Sequence, residues 1–305
     1  MSWFFLALVG PFLYAATNHI DKIILEKYFK EGGVGSLLIV SALSSVLALP
    51  FIFAFDTSVF AVSAMNVVAL SIVGILNVMV LWFYLTALKA EEASVAVVFY
   101  QLVPVFGYVF GYFILGETLT ALQLVAMGVI ILGTAIISFE IEEDNHFRLR
   151  VNTVFFMTAA ALCWALESVI FKAVALEESV VRSLFWEHLM LSVAGALIFC
   201  CIPLYRKHFL IAMRGNSAGV LGLNLLNETL YMVGNIVFAF AYLLAPIALV
   251  LLGESYQPLF VLGIGVLLTM LFPTIVEEKL YLRHLSQKIA AIALTGIGTY
   301  LLLVS

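Results

Sequence analysis

The sequence predicts an all-α polytopic membrane protein with ten transmembrane helices in two inverted five-helix repeats. Hydrophobic residues make up 64% of the 305 residues, charged residues make up 11%, and the mean hydropathy is +1.16. A soluble domain has too little polar surface to cover so many apolar side chains, so a lipid bilayer is the expected environment. Ten apolar segments follow one another along the chain, each close to the ~20 residues that cross a bilayer as a helix. A polar stretch near the midpoint divides them into two sets of five.

Polar runs and prolines separate the ten segments. The charged run KAEE at 89–92 ends the third segment, the GET turn at 116–118 ends the fourth, and Pro246 separates the eighth from the ninth. Polar residues at 206–208 and 216–217 predict a loop before the eighth segment. The predicted segments are 3–25, 34–55, 63–87, 93–114, 120–139, 152–175, 181–203, 218–243, 247–271 and 287–304.

The polar stretch EIEEDNHFRLR at 140–150 predicts the domain organisation. Because each half holds an odd number of spans, the second half begins on the opposite side of the membrane and is inverted relative to the first. Inverted repeats are a common transporter architecture. The predicted domains are a first repeat at 1–140, a linker at 141–151 and a second repeat at 152–305.

Weak internal similarity supports a duplication. An offset of 150 residues superposes Lys22 on Lys172 near the ends of the first and sixth segments. A Tyr-Gln pair lies early in the fourth segment, at 100–101, and again early in the ninth, at 256–257.

The basic residues are distributed unevenly between the two sets of loops. Eleven of the 14 Lys and Arg residues lie in the loops after odd-numbered segments, whereas only Arg182 lies on the other side; Lys22 and Lys172 are within segments. The positive-inside rule therefore predicts that the loops after odd-numbered segments are cytoplasmic and that both termini are outside.

The sequence lacks the features that are typical of several other function classes. The net charge is −5 and no basic stripe with interleaved aromatic residues occurs, so we expect no nucleic-acid partner. Cys163, Cys200 and Cys201 lie in apolar runs without CxxC spacing and are interpreted as structural. The sequence contains no HExxH and no Asp-rich pair, so we predict no catalytic residues, no metal and no cofactor.

The stretch YQLVPVFGYVFGYFILGETLTALQLVAMGVIILGTAIIS at 100–138 resembles the EamA family of the drug/metabolite transporter superfamily. The shared features are a Gln-x-x-Pro start, glycines through the helix, a Gly-Glu turn, Leu-Thr and a fifth helix that contains glycine. The second half is similar in YQPLFVLGIGVLLTMLFP at 256–273, the acidic turn at 277–278, QK at 287–288 and GIG at 296–298. The resemblance implies ten helices in two inverted repeats around a central cavity, export of amino acids or other small metabolites, and termini inside the cell.

Ionisable residues within a span are costly, so each is a functional candidate by default. Glu228 in the eighth segment and Glu254 in the ninth are the main candidates for proton coupling, because desolvation in a membrane cavity favours the neutral carboxyl group. The alternative is a buried acid held by Asn or Lys hydrogen bonds for packing. The remaining candidates for coupling or gating are Glu167, Glu187, Asp21, Lys22 and Lys172.

The two intramembrane lysines are not expected to form one anion site. Both lie near the C-terminal ends of their helices, and an inverted repeat places those ends at opposite membrane surfaces. Each is expected to extend to its interface or to pair in a gate. The gate alternatives are Lys22 with Asp21 or Glu26, and Lys172 with Glu167 or Glu177.

Aromatic rings and neutral amides at mid-depth predict a substrate cavity, since amides suit polar groups such as those of amino acids. Aromatic residues also serve as interface anchors, which is the alternative interpretation. We expect the start of the fifth helix to be capped by Glu117, Thr118 and Thr120. The predicted binding residues are Asn77, Trp82, Tyr100, Gln101, Trp164, Asn235, Tyr256 and Gln257.

Together these features favour a secondary transporter over an enzyme. We expect a multi-pass protein of the cell (inner) membrane that exports a small metabolite, such as an amino acid, by proton-coupled alternating access. Its expected partners are the lipid bilayer and a small-molecule substrate. The alternative is a membrane-embedded enzyme or a lipid scramblase acting on lipid-linked substrates.

Overall fold

A computed structural model describes residues 2–27, 33–90, 98–138, 151–271 and 285–305, and these residues form an all-α membrane protein. Six helices are long and apolar enough to cross a membrane, in agreement with the hydropathy of the sequence. They are Trp3–Leu25, Gly33–Phe55, Ala64–Lys89, Asn152–Glu177, Val180–Cys201 and Ile247–Leu268. Shorter apolar helices are Phe99–Leu115, Ala121–Ile136 and Ile292–Val304. The predicted linker at 141–151 lies almost entirely outside the described residues.

The helix bounds agree closely with most of the predicted segments. The helices are α1 (Ser2–Lys27), α2 (Gly33–Ser44), α3 (Leu49–Phe55), α4 (Ala64–Ala90), α5 (Leu102–Phe110), α6 (Ala121–Ser138), α7 (Val151–Glu177), α8 (Val180–Cys201), α9 (Pro203–Tyr242), α10 (Ile247–Leu251), α11 (Gln257–Leu271) and α12 (Leu285–Val304). Short 3₁₀ segments, Ser45–Ala48, Val98–Gln101 and Leu252–Tyr256, join or extend them. A π-helical turn, Gly111–Leu115, follows α5.

Side-chain caps explain where two of the helices begin. At α6 the Gln123 amide donates to Thr120 Oγ1 at 3.2 Å, and the Thr120 amide donates to Gln123 Oε1 at 3.0 Å. This reciprocal pair is a capping box. At α8 the Arg182 amide donates to Ser179 Oγ at 3.2 Å. The prediction that Thr120 caps the fifth helix is confirmed, whereas Glu117 bonds elsewhere.

The predicted loop before the eighth segment is wrong. Helix α9 runs without interruption from Pro203 to Tyr242 and includes the polar residues at 206–208 and 216–217. Arg and Lys are good helix formers, and Pro203 stands at the first helical position, where proline is tolerated. A helix of 40 residues is about 60 Å long, roughly twice the hydrocarbon core, so part of it extends beyond that core.

Close helix contacts hold the bundle together. Helix α1 packs against α9, α4 packs against α7 and α8, α6 packs against α12, and α2 packs against α8 and α9. The GxxxG spacing of Gly107 and Gly111 brings this part of the chain against α10: a Cβ at these positions would lie 2.5 Å from Leu251 and 2.7 Å from Ile247. Small residues therefore permit this approach, as in other membrane helix pairs.

An ionic network ties the connection between α3 and α4 to the turn between α7 and α8. Arg182 Nε lies 3.5 Å from Asp56 Oδ2, and its Nη1 lies 3.8 Å from Glu178 Oε2. Hydrogen bonds from Ser58, together with Arg182, hold the pKa of the Asp56 carboxyl below its usual range. A hydrogen bond from the Ser63 amide, 3.0 Å from Glu178 Oε1, lowers the pKa of Glu178 in the same way.

We expect Gly195→Ala to destabilise the bundle and Gly128→Ala to leave it intact. A Cβ at Gly195 would lie 2.7 Å from the Ala42 Cβ and 3.1 Å from the Leu43 amide nitrogen, whereas a Cβ at Gly128 meets nothing within 4 Å. Overpacking costs about 1–3 kcal/mol, and Ala in an open helix position gains up to about 1 kcal/mol over Gly. Thermal unfolding of the two purified variants in detergent tests the contrast. Equal melting temperatures would contradict the close α2–α8 contact.

We expect Asp56→Asn to reduce stability at pH 6 and to reduce it less at pH 3. Because the folded pKa of Asp56 is lowered, its contribution is complete above the ordinary value of about 3.9 and is lost as the pH falls through the folded value. Asn keeps the side-chain oxygen that accepts from the Ser58 amide, so the variant removes mainly the charge. The difference in melting temperature between wild type and variant should shrink on acidification. A difference that stays constant down to pH 3 would refute the role of this carboxylate.

Candidate functional site

A cavity of about 80 Å³ lies among helices from both halves of the chain. Five aromatic residues, three carboxylic acids and six neutral polar residues contribute to its wall. These are Tyr14, Tyr84, Tyr100, Trp164 and Tyr231; Asp21, Glu167 and Glu228; and Thr17, Asn18, Ser41, Asn77, Asn227 and Gln257.

The five aromatic rings form a continuous wall, here called the aromatic arc. Ring centroids are 5.3 Å apart for Tyr231 and Tyr14, 6.0 Å for Tyr14 and Trp164, 5.0 Å for Trp164 and Tyr100, and 6.2 Å for Tyr100 and Tyr84. The rings come in this order from α9, α1, α7, the 3₁₀ segment Val98–Gln101 and α4. Edge-to-face and tilted pairs at these distances stabilise each other, so the arc joins elements of both halves.

The three carboxylic acids of the cavity have different partners. Asp21 accepts a hydrogen bond from Asn227 Nδ2 at 2.8 Å. Glu228 is hydrogen-bonded by Ser41 and lies within electrostatic range of Asp21. Glu167 is 8% exposed, and its Oε2 has no hydrogen-bond partner in the described structure. The acids therefore share one cavity, and Glu167 presents a buried acceptor that no neighbouring group satisfies.

Seven of the residues selected from the sequence line this cavity. They are Asn77, Tyr100, Trp164, Gln257, Asp21, Glu167 and Glu228. The other eight do not belong to its wall: Trp82, Gln101, Asn235, Tyr256, Glu254, Glu187, Lys22 and Lys172.

The two Tyr-Gln pairs turn opposite members to the cavity. Tyr100 lines the cavity, while Gln101 Nε2 donates to the Ser255 carbonyl at 3.1 Å. In the second pair Gln257 lines the cavity, while Tyr256 packs into a separate apolar cluster. Gln101 therefore joins the 3₁₀ segment of one half to that of the other, Leu252–Tyr256.

Three further candidates lie outside the wall with partners of their own. Asn235 Nδ2 donates to Glu187 Oε1 at 3.1 Å, so Asn235 joins α9 to α8. Trp82 Nε1 donates to the Tyr205 hydroxyl at 3.2 Å. These contacts join helices to each other. They agree with a role of these three residues in helix packing.

Glu254 lies behind the aromatic arc. Its side chain is completely buried, at 0% exposure, and neither carboxyl oxygen has a hydrogen-bond partner in the described structure. It is within electrostatic range of Tyr14 and Tyr100. Glu254 therefore lies close to two rings of the aromatic arc but does not line the cavity.

The partners predicted for Lys172 are wrong. Lys172 is 4% exposed, so it does not extend to the interface; it pairs with Glu117 and donates to the Ala245 carbonyl at 2.7 Å. The second oxygen of Glu117 accepts from the Ile247 amide at 2.6 Å, which caps α10. We call Lys172, Glu117, Ala245 and Ile247 the latch. The ion pair joins α7 to the α5–α6 connection, a contact across 55 residues that spacing along the chain does not indicate.

Lys22 donates to the Leu88 carbonyl at 3.1 Å, near the C-terminal ends of α1 and α4. A backbone carbonyl was not among its predicted partners. Of those partners, Asp21 instead bonds to Asn227, and the side chain of Glu26 lies outside the described part of the structure.

Sequence analysis missed ten residues of the cavity wall, of which seven are polar or aromatic. These seven are Tyr14, Thr17, Asn18, Ser41, Tyr84, Asn227 and Tyr231. The available signal is helical spacing: Tyr14, Thr17, Asn18 and Asp21 stand at i, i+3, i+4 and i+7 of α1. Positions at this spacing share one face of a helix. The same spacing recurs in α9, which packs against α1, at positions 224, 227, 228 and 231.

The fold and the cavity define a polytopic α-helical membrane protein with a polar chamber between its two halves. Residues 1–139 match the EamA-like transporter family, which confirms the resemblance over the first half of the chain.

Comparison of the whole chain shows the fold alone. One solved structure, described only as the crystal structure of a protein, aligns over 97% of this chain and 95% of its own, with a TM-score of 0.56 and 15% identity. No curated protein gives a significant match.

We expect Glu117→Gln to destabilise the protein more than the double variant Glu117→Gln/Lys172→Met. The single change leaves a buried ammonium group without its anion, which costs about 3–5 kcal/mol. The double change removes both charges and should recover most of that loss. Thermal unfolding of wild type, both single variants and the double variant forms the cycle. Strictly additive effects would show that the two side chains do not interact.

Proposed function

We propose that this protein is a secondary transporter that exports a small metabolite across a cell (inner) membrane by alternating access around the cavity. The supporting observation is a polar chamber with three carboxylic acids, walled by helices of both halves. Ionisable residues inside a membrane are expensive and characterise substrate and ion pathways. The match of residues 1–139 to a transporter family agrees with this function.

The proposal includes two inverted five-helix repeats, in which α1, α4 and α5 correspond to α7, α9 and α11. Helix contacts support this correspondence, because each pair has its counterpart. The α1–α9 contact corresponds to the α7–α4 contact, and the α5–α7 contact corresponds to the α11–α1 contact. Such a pattern is expected of a pseudo-two-fold axis in the membrane plane.

A repeated hydrogen bond also supports the correspondence. Tyr84 of α4 donates to Asn18 of α1 at 2.8 Å. In the other half, the hydroxyl groups of Tyr242 in α9 and Ser168 in α7 are 3.0 Å apart. Asn18 and Ser168 have the same 150-residue offset as the two lysines.

The lysine contacts repeat in the same manner. Lys22 donates to the Leu88 carbonyl near the end of α4, and Lys172 donates to the Ala245 carbonyl just after α9. Under the inverted arrangement, these contacts lie toward opposite membrane surfaces. We propose that the latch holds one end of the cavity closed in this conformation, and that it separates when that end opens.

The proposal assigns proton exchange to Glu228 and Glu254. Glu228 lines the cavity, where water and substrate would reach it. Glu254 has no partner and no exposure, and burial of an unpaired carboxylate is far more costly than burial of a neutral acid. Glu254 therefore carries a proton in this conformation, and a conformation that hydrates the Leu252–Tyr256 segment would release it.

A proteoliposome assay tests the transport function. Reconstituted wild type should move labelled metabolites from a broad library, and an imposed pH gradient should drive their accumulation. Glu254→Gln and Glu228→Gln keep the size of the side chain but cannot release a proton, so they should lose gradient-driven accumulation while retaining substrate exchange.

The matched control is Glu177→Gln, a change at an exposed position at the end of α7. It should behave as wild type. Failure of every library compound to move would overturn the transport function. An unaltered response of both variants to the pH gradient would overturn the role of these acids in coupling.

A further inference from the structure

We propose that the substrate is an organic cation, an amine or ammonium compound with an apolar or aromatic body and no carboxylate. This inference rests on the proposed transport function and specifies the chemistry of its cavity. Three independent properties of the wall support it: its charge, its rings and its unsatisfied hydrogen-bond acceptors.

The charged groups of the wall have one sign. Asp21, Glu167 and Glu228 face the cavity, and among the described residues that line it there is no Lys, Arg or His. Lys172 is engaged in the latch. A bound carboxylate or phosphate would therefore approach three acidic groups without a cationic partner in this wall. A bound cation would find several acids at once.

The aromatic arc suits the same ligand. A cation is attracted to the face of a Trp or Tyr ring when it lies within about 6 Å of the ring centroid. The five rings follow one another at centroid spacings of 5.0–6.2 Å. The cavity therefore offers a cation several ring contacts in addition to its carboxyl groups.

The unsatisfied polar atoms of the wall are mainly acceptors. Glu167 Oε2, Asn227 Oδ1 and Gln257 Oε1 are buried and have no hydrogen-bond partner in the described structure, whereas Asn18 Nδ2 is the corresponding donor. Glu167 is more than nine-tenths buried. An ammonium group has donors and no acceptor, so it matches three vacant acceptors better than an anion does.

The rest of the wall limits the body of the substrate. Val80, Leu81 and Leu191 give the cavity an apolar portion beside the arc. An apolar or aromatic group fits against these side chains, while a second charged group of negative sign does not. A zwitterionic amino acid would place its carboxylate in an acidic chamber, so its decarboxylated amine should bind more tightly.

Two matched sets of compounds test the charge requirement at pH 7. With an indole body the set is tryptamine, tryptophan and indole-3-acetate; with a four-carbon body it is 1,4-diaminobutane, 4-aminobutanoate and butanedioate. Calorimetry and thermal stabilisation of the full-length protein in detergent measure binding. In at least one set the cation should bind at least tenfold more tightly than the zwitterion and the anion. Loss of one charged hydrogen-bond partner should weaken cation binding about tenfold in Glu167→Gln.

Two controls separate charge from folding. Glu177→Gln, outside the cavity, should leave cation binding unchanged, and thermal unfolding will show whether Glu167→Gln is folded. Trp164→Phe keeps an aromatic face, whereas Trp164→Leu does not, so only the Leu variant should lose several-fold in cation affinity.

The outcomes distinguish this inference from the transport function. Binding of a zwitterion or an anion as tight as that of the cation, or no binding of either cation, would overturn the cationic substrate. The transport function would survive that result if any library compound still moves in proteoliposomes. Preference for the cation that persists unchanged in both Glu167→Gln and Asp21→Asn would also overturn the inference, because the acids would then have no part in it.

Discussion

A bilayer offers no water to polar groups, and this constraint determines where the polar side chains of the protein lie. Each polar group within a span must find a partner in the protein or face a hydrated space. Asp21 meets this requirement through Asn227, and Glu187 meets it through Asn235, both across helix pairs. Glu167 and Glu254 each retain unpartnered carboxyl oxygens, Glu167 at the cavity and Glu254 behind it. Polar residues therefore join helices in some places. In others they leave carboxyl oxygens without hydrogen-bond partners, at the cavity and beside it.

Two ionic contacts near the C-terminal end of α7 satisfy the same constraint in different ways. Where water is close, Arg182 and Asp56 form a partly exposed network whose strength depends on pH and salt. Deeper in the protein, Lys172 requires Glu117 and a backbone carbonyl together, because a buried ammonium group cannot rely on solvent. Such an arrangement has two discrete states, paired or separated and hydrated. This property makes the latch suitable for a step of alternating access.

The spans were predictable from the sequence because length and hydropathy directly measure the cost of burial in lipid. Individual acids such as Glu167 and Glu228 were predictable for the same reason, because an ionisable side chain within a span is costly unless it has a partner or faces a hydrated cavity. The aromatic wall was harder to predict: Tyr14, Tyr84 and Tyr231 resemble ordinary lipid-facing residues until their helices are packed together. The partner of Lys172 could not be predicted from spacing, because Glu117 lies in another helix connection. Helix α9 was predicted too short because polarity was taken for a loop, whereas a helix outside the hydrocarbon core is free to be polar.

The proposed proton exchange and the proposed cationic substrate follow from one electrostatic argument. Asp21 and Glu228 lie within electrostatic range of each other, and so do Glu167 and Glu187. Several ionised carboxylates cannot share a poorly hydrated chamber without compensating positive charge. That charge is supplied either by protons on the acids or by a cation among them. If both use the same carboxyl groups, then arrival of the substrate releases protons and return of protons releases the substrate. Exchange coupling would then need no separate ion site, and the aromatic arc would determine which cations compete successfully with protons.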